Sequence, residues 1–516
     1  MSNLKQRHRK KLNKLLGSFS SEGFIQLLWS VKMLQSEKPG VGAKFLDPNT
    51  IPKGAENVGF NATHRIHPWE LETLANQILT VPKTAQFKSR KNRKERSWRS
   101  FGNAISCVNT LRSLEDEESW FWKKDGGVLV EMARLASRQF AWQRGYANMA
   151  QFYRNVYIYG QGECAKYFKE TNGLSINSFN RTGFVLHAAF TGRPILKLDE
   201  DWERLGVTQD DVNKTLALIC QPFTKAEQKA RLNLKVLQPT AYRASEFRKF
   251  PCIEFTDSAR RIRCPIPELI LERTTSGLFY DVADGGGAVR NDYARRFEAY
   301  CLEYLTLMLP GLIWCGETKY GTRKAKFDTP DIICKLDGQI KLALECKATR
   351  MSQAAMFGRK PTDERGFEDM AKAVFQLWRY FSHCRRGLTG HDLSPGALGV
   401  ILTLDNWLAM SGPLRDHVLA EAGKMADAKD ALIIDEDRRP VVFVAIDQLE
   451  RTLATADEDA FLAAVAEGAN ECIGWMLDGV HKRLMGDDMP RGEKYPFAHR
   501  LGEVLPWWDD HHSRAE

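Results

Sequence analysis

Polar and apolar positions alternate most strictly between residues 331 and 349. In 339-QIKLALECKAT-349 one parity holds Ile340, Leu342, Leu344, Cys346 and Ala348, and the other holds Gln339, Lys341, Ala343, Glu345, Lys347 and Thr349. A period of two predicts a strand with one buried face. In the preceding 331-DIICK-335, Ile332 and Cys334 are in phase for the buried face, and Asp331 and Lys335 for the polar one. The turn decides where the charges meet. A two-residue Asp337-Gly338 turn pairs Leu336 with Gln339, puts Asp331 opposite Leu344 and sets the apolar faces against each other. A three-residue loop, Leu336-Asp337-Gly338 with Gly338 left-handed, pairs Lys335 with Gln339 and places Asp331 opposite Ala343, diagonal to Glu345. The pattern therefore predicts an odd-length loop or a bulge, and one polar surface on which Asp331, Glu345 and Lys347 converge.

The same periodicities organise the flanks. Residues 290–309 read as an amphipathic helix with Tyr293, Phe297, Tyr300, Tyr304 and Met308 along one stripe. A helix over 368–384 follows, then a strand at 397–405, a helix near 413–428, a strand at 440–447 and helical residues through 448–486. Between the first helix and the hairpin, 316-GETKYGTRKAKF-327 reads as a basic loop, with Lys319, Arg323, Lys324 and Lys326. It serves equally as a solvated loop or for contact with a nucleic-acid backbone. Upstream, 281-DVADGGGAVRND-292 breaks the pattern with consecutive glycines between aspartates, so 281–288 is expected to be a linker. Residues 1–280 read as mainly helical, of one or two subdomains, with short strand candidates at 234-LKVLQ and 267-PELILE. The fold class expected is multidomain and α-rich: a helical recognition or regulatory region over 1–280, an α/β domain with a mixed sheet flanked by helices over 289–450, and a helical extension and tail over 451–516. No internal repeat of fixed period is visible.

Bulk properties narrow the class. At 516 residues the chain exceeds one ordinary core. No apolar run approaches the roughly 20 residues of a membrane span. The basic start, MSNLKQRHRKKLNKLLGSF, lacks the apolar core of a secretory signal. Eleven scattered cysteines without a CxxC pair argue against a zinc ribbon or disulfide framework and for a reducing cytoplasm. The net charge of +9 permits a polyanionic partner without requiring one. Within 88-KSRKNRKERSWR-99, Lys88, Arg90, Lys91, Arg93 and Lys94 form a run suited either to a solvated face or to phosphate contact. No GxxxxGK[ST] occurs, so no P-loop is encoded. His64 and His67 lack nearby ligands for zinc, and His511 and His512 sit in a polar tail.

Two carboxylates a few ångströms apart repel unless a cation lies between them. Oxygen ligands with open positions suit Mg²⁺ or Mn²⁺, which can polarise a phosphoryl oxygen and acidify a bound water. A lysine on the same face can orient that water or neutralise charge developing on phosphate. The chemistry indicated is phosphodiester hydrolysis.

Pro330-Asp331 followed by Glu345-Cys346-Lys347 resembles the motif of the PD-(D/E)xK nuclease superfamily, over about residues 289–450. The resemblance implies a restriction-endonuclease-like fold, with Asp331 and Glu345 as Mg²⁺ ligands and Lys347 acting on the water or the transition state. Family members often carry a metal-proximal glutamate on the first helix, and Glu298 matches it. Gln376 and Tyr380, one turn apart on the later helix, resemble the QxxxY motif of the RecB-like branch, where both steady the site. Lys372 shares their face and could touch phosphate. The resemblance implies an endo- or exonuclease acting on nucleic acid, double-stranded DNA being favoured, as a homodimer or with a partner protein acting through the N-terminal region. A nuclease joined to a large second region suggests a genome-defence effector, restriction-like or antiphage; a repair, recombination or transposition nuclease is the first alternative. A non-catalytic nucleic-acid-binding protein that keeps the fold is the second.

Overall fold

Several helix starts in the first half of the chain are fixed by hydroxyl caps, those of Ser20, Ser100, Ser175 and Thr208, and helix faces by apolar residues at intervals of three and four. The computed structural model describes residues 3–81, 96–146, 148–197, 202–234, 238–255, 261–323, 325–407, 412–486 and 495–508. These form two units: Met1–Lys124 with Arg138–Asn148 and Ala165–Asp284, and Asp125–Ser137 with Met149–Cys164 and Gly285–Glu516. The chain is helix-rich with mixed sheets, and among the described residues no helix is long and apolar enough to cross a membrane.

In the first unit, helix α1 (Asn3–Leu16) buries Leu12 and Leu16. Helix α2 (Phe101–Arg144) starts where the Ser100 hydroxyl accepts the Asn103 amide, and it is interrupted at Gly127, whose φ is 72°. A small sheet orders Leu196–Lys197, Arg261–Arg263, Cys252–Glu254 and Cys220–Pro222 side by side. Two expectations need correction here. The segment 267-PELILE is no strand: Glu268–Thr274 is a helix whose residues are buried nearly all round. A short apolar run carries too little period to tell a strand from a buried helix. For 234-LKVLQ, residues 235–237 lie outside the described residues. The block 1–280 is also not one piece, because 125–137 and 149–164 belong with the second unit.

The second unit is built on a five-stranded sheet. Helix α3 (Met149–Tyr159) and helix α4 (Gly286–Met308) precede it. The strands in chain order are β1 (Ile313–Gly316), a separate hairpin of β2 (Lys319–Thr322) and β3 (Ala325–Asp328), then β4 (Ile332–Leu336) and β5 (Gln339–Lys347). Helix α5 (Arg365–Arg385), strand β6 (Leu393–Thr403), helix α6 (Gly412–Lys429), strand β7 (Val441–Ala445) and helix α7 (Ile446–Leu453) complete it, with helices Glu458–Ala469 and Leu477–Met485 beyond. The sheet order is β7-β6-β5-β4-β1, antiparallel on the β1 side of β5 and parallel on the β7 side. Residues 316–327 thus hold a hairpin where a loop was expected, and the expected linker 281–288 shrinks to a turn. Gly286 supplies the turn with φ 80° and then opens α4.

Both faces of β4 and β5 are covered. Ile333, Ile340 and Ala343 join the core under α5, while Cys346, on the other face of β5, meets Cys301 of α4. The second unit is locked further by a buried ion pair. Arg154 of α3 donates to Glu450 of α7, whose other oxygen accepts from the Tyr300 hydroxyl of α4 at 2.6 Å. Glu450→Ala should therefore cost about 3–5 kcal/mol in urea unfolding, because it leaves the Arg154 guanidinium buried and unpaired. Gly338, at φ 79° in the β4–β5 turn, should cost about 1–2 kcal/mol when replaced by valine, measured the same way.

Candidate active site

The β4–β5 hairpin closes through a two-residue turn, Asp337-Gly338, with φ 53° and 79°, so the three-residue loop does not form. These signs are those of a tight hairpin turn that follows the sheet twist. Leu336 pairs with Gln339 and Lys335 with Ile340, but Cys334 pairs with Leu342, which leaves Lys341 as a bulge. The expected bulge is present, and it restores the phase that the turn alone would lose. Beyond it Ile332 pairs with Leu344, so the next step sets Asp331 opposite Glu345 itself rather than opposite Ala343.

The neighbouring strand extends this row. Gly316 pairs with Ile332, so the residue after it, Glu317, falls opposite Asp331. Thr329 pins that loop: its amide donates to the Thr318 carbonyl at 2.8 Å, and its hydroxyl oxygen accepts the Thr318 amide at 2.9 Å. Glu317 just past β1, Asp331 just before β4 and Glu345 within β5 thus form an acidic rung at the strand ends, close enough for Glu345 to feel both of the others. Lys347 lies on the Glu345 face and donates to Glu345 Oε2 at 2.7 Å, while Asp331 Oδ2 accepts the Cys346 amide at 2.6 Å. Helix α4 brings Glu298 to the same place, one turn before Cys301.

Crowding of acids shapes the titration. Burial first, then Asp331, pushes Glu298 up to about 7. Burial also pushes Glu345 up to about 7, with Asp331 and Glu317 adding repulsion against the relief supplied by Lys347. Asp331 is raised by burial, opposed by Lys347 and the Cys346 amide, and Glu317 is raised by burial, Asp328 and Asp331. Lys347 is held above its ordinary range because Glu345 and Asp331 outweigh its desolvation. It is a firm ammonium at neutral pH.

The other expected site residues divide. Tyr380 does not join the rung: its hydroxyl shares a 2.7 Å hydrogen bond with His391 Nδ1, and its ring meets Tyr320. His391 feels Lys335, and the next carbonyl, Asp392, accepts the Ile340 amide, so Tyr380 sits at the turn end of the strands. Ile340 stands roughly 16 Å along the strand from Glu345. Gln376 is half-buried on α5, and among the described residues its side chain makes no hydrogen bond. Lys372 is engaged by Glu368 at 2.7 Å on the surface of α5. Arg323 and Lys326 are exposed on the β2–β3 hairpin, which Tyr320 and Phe327 anchor to His383. Lys88, Arg90, Lys91, Arg93, Lys94 and Lys324 lie outside the described residues. Glu317 was missed by sequence reasoning, because nothing local in the sequence shows that β1 ends against the start of β4.

The donor set suits a hard divalent cation, since all of it is carboxylate oxygen and its mutual repulsion is what a dication would relieve. Among the described residues no three His, Cys, Asp or Glu side chains stand close enough to grip an ion as they are, and Glu345 is engaged by Lys347 instead. No protein-family model matches this chain, and no curated protein or solved structure matches it.

Glu298 gives a pH test. The folded protein holds its proton up to pH about 7, whereas the unfolded chain releases it from about 4.5. Stability is therefore withdrawn as pH rises through that window and levels off above it. Glu298→Gln, which mimics the protonated acid, should raise Tm in EDTA at pH 8 and leave it unchanged at pH 5. Equal shifts at both pH values would contradict the assignment.

Proposed function

We propose that this protein is a metal-dependent nuclease of restriction-endonuclease-like fold that hydrolyses phosphodiester bonds in DNA. The observation that carries the reading is the rung of Glu317, Asp331 and Glu345, with Lys347 beside it on the central strand β5. A five-stranded mixed sheet that places Asp331 ahead of β4 and Glu345 on β5, with Glu298 on the preceding helix, is in keeping with the PD-(D/E)xK arrangement. The QxxxY part of the resemblance finds no such support, since Tyr380 is bonded to His391 at the far end of the strands.

Asp331 and Glu345 would hold Mg²⁺ or Mn²⁺, with Glu298 and Glu317 as further oxygen donors. A bound dication would supply Lewis acidity and lower the pKa of an attacking water. Lys347, firmly protonated, is suited to stabilise charge on the phosphate or to orient water, and not to act as a base. A restriction-like or antiphage role rests on analogy with other nucleases joined to a large second unit.

The test is cleavage of plasmid, linear duplex and RNA by the full chain. Wild type should cut DNA with Mg²⁺ or Mn²⁺ and not in EDTA, and Asp331→Asn and Lys347→Ala should each lose at least about 100-fold. Mg²⁺ should also raise the Tm of wild type and not of Asp331→Asn. Equal inertness of wild type and Lys347→Ala towards DNA and RNA would sink the proposal.

A further inference from the structure

The acidic rung is a poor place to attract a polyanion, which directs attention to cations elsewhere. Helix α1 contains no acidic residue. Its basic side chains split between two faces. Lys5 and Arg9 turn to the buried Glu118, which also accepts the Thr240 amide at 2.5 Å. Leu12 and Leu16 are buried beside them. Arg7, Lys10, Lys11 and Lys14 follow the helical repeat on the other side and are exposed. None of these four has an acidic partner among the described residues.

A groove of about 430 Å³ runs beside this stripe, between α1 and the first turns of α2. Lys11, Arg96, Ser106, Asn109 and Ser113 line it, with Leu15 at its side. The Arg96 amide donates to the Ser18 carbonyl, which fixes Arg96 at the C-terminal end of α1. Of the acids in 115-EDEE-118, Glu115 is engaged by Arg138 and Glu118 by Arg9, while Asp116 and Glu117 come a turn after Ser113, further along α2 from Arg96. An anion is therefore favoured at the Lys11–Arg96 end.

We infer that α1 and this groove form a binding face for the sugar-phosphate backbone of nucleic acid. Arg7 to Lys14 spans roughly 10 Å of helix rise, enough to follow several phosphates of one strand. Besides Leu15 the lining offers two cations, an amide and the hydroxyls of Ser106, Thr110 and Ser113, groups suited to phosphate contact, which positions a strand without reading its sequence. A membrane surface is disfavoured because the apolar face that would insert is already buried in the unit. The choice of nucleic acid among polyanions rests on the nuclease reading; the cationic face does not.

The test measures binding of a labelled DNA duplex to the full chain in EDTA by fluorescence anisotropy. The variant Arg7→Gln, Lys10→Gln, Lys11→Gln, Lys14→Gln should lose at least about tenfold in affinity at about 50 mM salt. Its log–log salt slope up to about 200 mM should fall by roughly three. Lys10→Glu with Lys14→Glu should weaken binding in the same direction. Unchanged affinity and slope in both α1 variants would overturn the inference. So would wild type that ignores the duplex but is retained on phosphatidylserine vesicles through these residues. Metal-dependent cutting with unaffected binding in the α1 variants removes this inference alone, whereas α1-dependent binding without cutting removes only the nuclease reading.

Discussion

The register of one hairpin is the constraint on which the second unit depends. Strands alternate their faces with period two, so a single-residue slip between β4 and β5 would carry Asp331 away from Glu345 and reverse one strand's apolar set. The two-residue Asp337-Gly338 turn creates that slip, and the Lys341 bulge cancels it. Lys341 itself escapes the core by donating to the Ser394 hydroxyl at 3.2 Å. The turn and the bulge together are what sets three carboxylates on one rung at the strand ends.

Such a rung needs support, because buried like charges oppose folding. Three kinds of support are present. The Cys346 amide and Lys347 satisfy one oxygen each on Asp331 and Glu345. Burial and repulsion keep Glu298 and Glu345 protonated up to near-neutral pH, which reduces the charge to be held. The scaffold is also fixed at a distance, with Arg154, Glu450 and Tyr300 joining α3, α4 and α7. The segment Arg350-Met351 after β5 is held by Asp405 at the end of β6, so the rung sits at strand ends braced on both sides.

Much of this was legible in the sequence, where local pattern decides. The alternation in 339–349 marks β5, the aromatic stripe marks α4, and the phase conflict at the turn demands a bulge or an odd loop. Pattern fails where three-dimensional placement decides. The four-residue spacing of Gln376 and Tyr380 fixes that they share a helix face, but not which part of β5 that face crosses. Glu317 carries no local signature at all; it matters only because β1 ends against the start of β4. The segment 267-PELILE shows a different limit, since a run buried on every side erases the periodicity that would identify it. The role of 149–164 was invisible for a further reason, as its contacts lie with residues far along the chain.

Electrostatics then separate recognition from chemistry. A phosphodiester approaching Glu298, Glu317, Asp331 and Glu345 meets a cluster of acids that Lys347, Arg295 and Lys319 offset only in part, so a dication would ease the approach of the proposed substrate. Attraction has to come from cations that have no acid to neutralise. The exposed face of α1 meets that condition, whereas Lys372 does not, because Glu368 already engages it. On this view the modest net charge of +9 misleads, because the sum hides an acidic site and a basic face that do different work.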